Sequence, residues 1–155
     1  MDKNAQVIED SKQYIVAKLG IEQFGIDIGY IDNIVRMQKI TRIPKAQPYF
    51  KGVINLRGEV IPVMSLRVRF DLEDAEPTNT TRIIIVKLES QSSIGLIVDE
   101  VKEVVTLYND EVEKPTASKD NKNDEKMKYL LGVGKHGDTL ISLLNINNVI
   151  EDKEK

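Results

Sequence analysis

The chain contains no cysteine, no tryptophan and a single histidine, and only five prolines and five alanines. Without cysteine there are no disulfides, no thiolate metal sites and no cysteine nucleophile, and any catalytic triad must be built on His136. Alanine is scarce and leucine modest (12), whereas there are 19 isoleucines and 15 valines. That balance disfavours a helical bundle and favours strands, where β-branched side chains pack well. A basic excess is also missing: 22 Lys+Arg face 25 Asp+Glu, for a net charge of -3. Nucleic-acid binding, which rests on neutralising phosphates, is therefore disfavoured. The longest β-branched run, Ile83-Ile84-Ile85-Val86, is far too short to cross a bilayer as a helix. Residues Met1 to Lys12 are polar and of mixed charge, so no secretory signal is expected and the chain reads as cytoplasmic. In that setting the sequon Asn79-Thr80-Thr81 is a polar turn after Pro77.

What is present is a foldable length and an internal repeat. The 155 residues are 41% hydrophobic and 30% charged, which suits one domain or two small ones sharing a core. Tyr14 to Leu19 and Phe24 to Ile28 read as two strands joined by a turn. Arg82 to Leu88 and Ile94 to Val98 read the same way. Phe24, Gly25, Ile26, Ile28, Ile31, Ile34 and Val35 fall on Ile94, Gly95, Leu96, Val98, Val101, Val104 and Val105. A further block sets Gly52-Val53 on Gly132-Val133, and Val60, Ile61, Val63, Met64 and Leu66 on Leu140, Ile141, Leu143, Leu144 and Ile146. Turns containing Arg57-Gly58 and Gly137-Asp138 make each of these blocks a hairpin. Matching blocks in one order indicate two copies of one β unit.

The spacing between matches grows between the second and third blocks, so the second copy carries an insertion. Residues 116–126 fit it, having one apolar residue and alternating charge, and read as a mobile polar loop. Leu72 to Thr81 reads as the link between copies. The expected division is a first β-barrel over 13–75 and a second over 80–150, within one domain spanning 1–155. Units this small gain stability by curling into barrels and packing on one another. Ile28 to Val35 has helical spacing and is expected to include a helical turn before another strand. Leu144 to Glu151, with Asn145, Asn147 and Asn148, is expected to be a short terminal helix.

Catalytic chemistry finds little support. Gly132-x-Gly134-x-x-Gly137 matches a dinucleotide fingerprint, but too little chain follows it for the rest of a βαβ unit. It reads better as a Gly-rich strand and turn, with His136 exposed in that turn. Asp99-Glu100 and Asp71-x-Glu73-Asp74 read as solvated acids, because neither has the spacing of a calcium loop. The paired apolar positions are more telling. Ile28, Ile31, Ile34, Val98, Val101 and Val104 sit at equivalent places in the two copies. On pattern alone they read first as core. Left partly open, the same seam would accept an amphipathic helix.

The sequence resembles the CheW family of chemotaxis coupling proteins. The resemblance is carried by Phe24-Gly25-Ile26-Asp27-Ile28, Ile40-Thr41-Arg42-Ile43-Pro44, the stretch from Pro48 to Val63 with its Asn55-Leu56-Arg57-Gly58, and Gly95 to Val101. It runs from Tyr14 to Ile150. It implies a mainly β fold of two small SH3-like five-stranded barrels packed around a shared hydrophobic core. It also implies a non-enzymatic adaptor without metal or cofactor. Such a protein joins the cytoplasmic tips of methyl-accepting receptors to the regulatory domain of the histidine kinase CheA. The sequence shows no oligomer signal, so a monomer is expected outside the membrane-associated receptor array. A scaffold of another chemosensory pathway, such as surface motility or second-messenger control, is the alternative. By matching positions, receptor contact falls on Ile31, Gly52, Arg57, Val101 and Val104, with Asn33 in the same groove. In the family the arginine at Arg57 often meets an acid, but here the matching position is Asn33. That leaves Arg57 with Asn33 as a hydrogen-bond partner, or Asp32 or Glu59 as ion-pair partners.

Overall fold

The computed structural model describes residues 10–114 and 128–151. Its strands are β1 (Ser11–Leu19), β2 (Glu22–Asp27), β3 (Ile31–Arg36), β4 (Phe50–Leu56), β5 (Glu59–Ser65), β6 (Arg82–Lys87), β7 (Ser93–Val98), β8 (Glu100–Tyr108), β9 (Val112–Glu113), β10 (Leu130–His136) and β11 (Thr139–Leu144). Among the described residues helical structure is confined to short pieces, including Leu66–Arg69 and Ile146–Ile150. The mainly β fold expected from the Ile and Val content is what forms. The expected loop 116–126 lies outside the described residues.

The strands form two sheets. One has the order β8-β1-β2-β11-β10-β9, the other β3-β6-β7-β5-β4. Apart from β9 these are the same sheet, each strand standing where its repeat counterpart stands. The repeat is therefore real, but its two copies exchange partners. The first copy's hairpin β1–β2 pairs with β8 and β11 of the second, and the second copy's hairpin β6–β7 pairs with β3 and β5 of the first.

This corrects the division into 13–75 and 80–150. Among the described residues one compact unit comprises 10–17, 22–28, 102–114 and 128–151, and the other Lys18–Ile21 and Gly29–Val101. The physical reason lies in the parallel pairs β2–β11 and β5–β7. A tight turn joins antiparallel strands only, so a strand's parallel neighbour must come from elsewhere in the chain. The second correction concerns closure. In the five-stranded sheet β3 and β4 are both edges, linked only through the single bridge Thr41–Val53 beyond the end of β3. The sheet curls in SH3-like fashion without becoming a closed barrel.

Each unit has its own core, and the two cores match. Tyr14, Val16, Val105, Leu107, Ile141 and Leu143 cluster in one, with Val112 packed against them. In the other, Ile54, Ile61, Val63, Ile83 and Ile85 cluster, with Val35 and Met37 among those packed against them. Glycines mark the close approaches. Gly25 lies opposite Leu143, where a Cβ would come within 2.8 Å of its side chain. Gly95 lies opposite Val63, where a Cβ would meet Ile83 at 2.7 Å. The short helices also correspond. Ser65 Oγ accepts from Val68 N–H, and Asn145 Oδ1 accepts from Asn148 N–H, each at 3.2 Å. These are N-caps, and the second accounts for Asn145, while Asn148 Nδ2 donates to the Lys128 carbonyl at 2.9 Å. The helical spacing after β2 yields only a three-residue 3-10 turn, Ile28–Tyr30, before β3 begins. Its Ile and Val content wins over the spacing.

Candidate functional site

Six positions stand out from the sequence as a binding surface. Five of them (Ile31, Asn33, Gly52, Arg57 and Val101) belong to the second unit, and Val104 to the first. Strand β8 carries both Val101 and Val104, so the chain passes from one unit to the other within that strand. Ile31 and Val101 are half-buried, and Val104 is 47% exposed. Among the other apolar positions, Val98 is fully buried and is plain core, whereas Ile28 is exposed. Ile31 pairs with Val86 and Asn33 with Ile85, so Asp32 is the extra residue of a bulge. Bulges re-aim the side chains beside them, and here they flank both named positions.

Asn33 does not turn toward Arg57. Its Oδ1 accepts a hydrogen bond from Ile34 N–H at 2.9 Å. Arg57 occupies a two-residue turn between Leu56 and Glu59, with φ of 54° and 84° at Arg57 and Gly58. Positive φ at both positions is the tight hairpin turn that suits strand twist. Asn55 Oδ1 accepts from Gly58 N–H at 3.2 Å and steadies that turn. None of Asn33, Asp32 or Glu59 partners Arg57 among the described residues, and its guanidinium stays exposed. Gly52 is different again. It is buried, at a bulge opposite Val63, with φ of 141°. A Cβ there would lie 2.1 Å from the Thr41 carbonyl oxygen. Its position in the fold is structural, beneath the surface rather than on it.

The acids read as solvated are not all so, which is a correction. Asp99 accepts from Arg67 Nε at 2.8 Å and from Arg67 Nη2 at 2.6 Å, and also from Gly20 N–H at 2.7 Å. Arg67 Nη1 donates to the Glu73 carbonyl at 2.7 Å. Thr80 Oγ1 donates to the Asp99 carbonyl at 3.0 Å. One two-pronged ion pair thus fastens the β1–β2 turn, the helix Leu66–Arg69 and both ends of the link 72–81. Asp74 forms a further ion pair with Lys51. The Arg67 hydrogen bonds hold the Asp99 carboxyl below the usual carboxylate range, and the Asp99 partner raises Arg67. These groups line a cleft of about 220 Å3 with Met37, Ile40 and Ile97. The sequence did carry a signal for this pair. Arg67 and Asp99 stand against Asn147 and Gly29 in the repeat, so they are a charged pair that the other copy does not have.

A depressed carboxylate adds stability at pH values above its unfolded range, and that contribution is lost as pH falls through the folded value. Asp99→Asn is therefore expected to destabilise the chain by about 1–3 kcal/mol at pH 7, as for hydrogen bonds to a partly buried charged group. The deficit relative to wild type should shrink below about pH 4, where an unperturbed aspartate protonates. Urea unfolding of both proteins at pH 7 and pH 3 measures this. An unchanged deficit at both values would contradict the role of the ion pair.

The dinucleotide-like pattern is absorbed by the hairpin β10–β11. Gly132 sits at a bulge, where a Cβ would be 2.7 Å from the Glu113 carbonyl oxygen, Gly134 faces Leu107, and Gly137 forms the turn. His136 is exposed on the last residue of β10. Among the described residues no group of three or more His, Cys, Asp or Glu is placed to hold a metal ion, and no helix is long and apolar enough to cross a membrane.

Comparisons with known proteins agree with this architecture. Residues 13–154 match the model of the CheW-like domain. The chain is 34% identical over 147 residues to chemotaxis protein CheW of Bacillus subtilis, covering 95% of this chain and 91% of that protein. It is 31% identical to chemotaxis protein CheW of Helicobacter pylori, over 92% of this chain and 84% of that one. A crystal structure of the scaffolding protein TtCheW from Thermoanaerobacter tengcongensis superposes with a TM-score of 0.81 at 31% identity, covering 93% of this chain and 90% of that one. A partial likeness to protein PilI of Pseudomonas aeruginosa covers 54% of this chain. With the family's domain spanning nearly the whole chain, this protein belongs to the CheW-like family.

Proposed function

We propose that this protein is a chemotaxis adaptor that joins the cytoplasmic tips of methyl-accepting receptors to the regulatory domain of the histidine kinase CheA. It works by binding rather than by catalysis, in the cytoplasm, as a monomer recruited to membrane-associated receptor arrays. The observation that carries this reading is the likeness to the TtCheW scaffold over 93% of the chain. The alternative, a scaffold in another chemosensory pathway, draws on the partial likeness to PilI, which reaches only about half of the chain. Coverage of 91% and 84% of the two chemotaxis CheW proteins favours the first reading.

The proposed receptor face includes Ile31, Arg57, Val101 and Val104, with Asn33 alongside and Gly52 shaping the backbone beneath. Partly exposed β-branched side chains suit the apolar stripe of a receptor helix. Arg57, exposed and without a partner among the described residues, suits a carboxylate or carbonyl on that helix. Binding two partners through separate weak contacts gives a stable assembly by effective concentration. Size-exclusion chromatography with a CheA regulatory domain, and co-sedimentation with receptor-bearing membranes, test the two contacts separately. The expected result is binding in both. Binding to neither would overturn the assignment.

A further inference from the structure

The 26 residues from Asn33 to Gly58 contain Arg36, Lys39, Arg42, Lys45, Lys51 and Arg57 and no acid, in a chain whose net charge is -3. Within this stretch the loop 42–48, between β3 and β4, forms one wall of an open cleft of about 470 Å3. Arg42, Lys45 and Lys51 line it together with Ile43, Pro44 and Phe50. Ile43 is 48% exposed, and Phe50 is half-buried. Lys51 shares its charge with Asp74, whereas Arg42 and Lys45 are exposed with no ion pair among the described residues.

The cleft is built before any ligand arrives. Thr41 and Val53 exchange both backbone hydrogen bonds at 2.9 Å, fixing one end of the loop. Phe50 N–H donates to the Gln47 carbonyl at 2.9 Å, fixing the other. Pro44 and Pro48 restrict the backbone between them. Tyr49 is buried, with the Arg69 guanidinium 4.2 Å from its ring centroid and the Phe50 ring 5.1 Å away. A loop held in this way loses little freedom on binding.

We infer that this cleft is a docking site for an extended acidic segment of a protein partner, with one apolar side chain of that segment seated between Ile43 and Phe50. Arg42 and Lys45 have no ion pair among the described residues, so the occupant is acidic. The volume admits a few side chains and not a folded surface. The cleft carries a single exposed large hydrophobic, Ile43, which gives a bilayer little to insert and suits one side chain of a peptide. None of the proposed receptor-face residues lines this cleft, so the inference stands or falls apart from the adaptor reading.

The probe is the synthetic peptide acetyl-Glu-Asp-Leu-Glu-Phe-Asp-Glu-amide, titrated into 15N-labelled protein at about 50 mM salt, where screening is weak. Amide shifts are expected to concentrate at residues 41–53. The double variant Arg42→Glu/Lys45→Glu, both positions being exposed, should keep its fold by circular dichroism and bind at least tenfold more weakly. A peptide with serine in place of Leu and Phe should also lose at least tenfold. Shifts that fall elsewhere, or equal binding by the double variant, would overturn the inference, as would equal binding of the serine peptide. Sedimentation with phosphatidylserine vesicles that depends on Arg42 and Lys45, with no peptide shifts, would assign the face to lipid and overturn it too.

Discussion

Replacing Gly52 by alanine is expected to destabilise the chain by about 3 kcal/mol or more, among the largest effects of a single methyl group anywhere in the fold. Two costs add. The backbone at φ 141° lies where side chains with a Cβ are strained, a cost on the order of 1–3 kcal/mol. The new Cβ would also sit 2.1 Å from the Thr41 carbonyl oxygen and 2.7 Å from its carbonyl carbon. Backbone cannot swing aside as a side chain can, so the Thr41–Val53 bridge must break. For a chain of this size the melting temperature should fall by roughly 10 °C. Gly58→Ala is the control. Its φ of 84° is also positive, but a Cβ there meets nothing within 4 Å. It should cost about 1 kcal/mol, from conformation alone. Thermal unfolding of the two variants side by side separates strain from collision, and equal losses would show that the Thr41 contact carries nothing.

The other large effect is on binding. Val104→Asp should weaken receptor co-sedimentation by about 30-fold or more, because a charge placed in an apolar contact loses its water without gaining a partner. Val104 is 47% exposed, so the variant should fold. Ile31→Asp should do the same. It is half-buried beside a bulge, so its fold must be checked by circular dichroism. Arg57→Ala should have a smaller effect, about tenfold, as for an exposed charged hydrogen bond. Unchanged sedimentation of a folded Val104→Asp protein would remove β8 from the receptor face.

Much of the fold was legible in the sequence. The Ile and Val content announced strands. The matched pairs Gly25/Gly95 and Gly52/Gly132 announced the repeat, and the structure places each pair at matching close approaches. The exchange of hairpins between copies was not legible. Two copies of one unit present equivalent edges, and nothing in apolar spacing says which copy's edge a hairpin will join. The ion pair Arg67–Asp99, whose members are 32 positions apart, shows in the sequence only as two charges that the other copy lacks. Adjacent acids such as Asp99-Glu100 look solvated when read locally, and only the tertiary fold brings the guanidinium to them. Gly52 was legible as important through its family position. Whether it touches a partner or shapes the backbone depended on burial, which a sequence motif does not encode.

The central claim is that one chain transmits receptor state to a kinase. Receptor-bearing membranes, the kinase CheA and this protein, mixed with labelled ATP, test it most directly through kinase autophosphorylation with and without receptor ligand. Ligand is expected to change kinase activity only when this protein is present, and Val104→Asp to abolish the change while the variant still binds the kinase. Kinase activity that follows ligand equally well without this protein, or ignores it in its presence, would overturn the adaptor role.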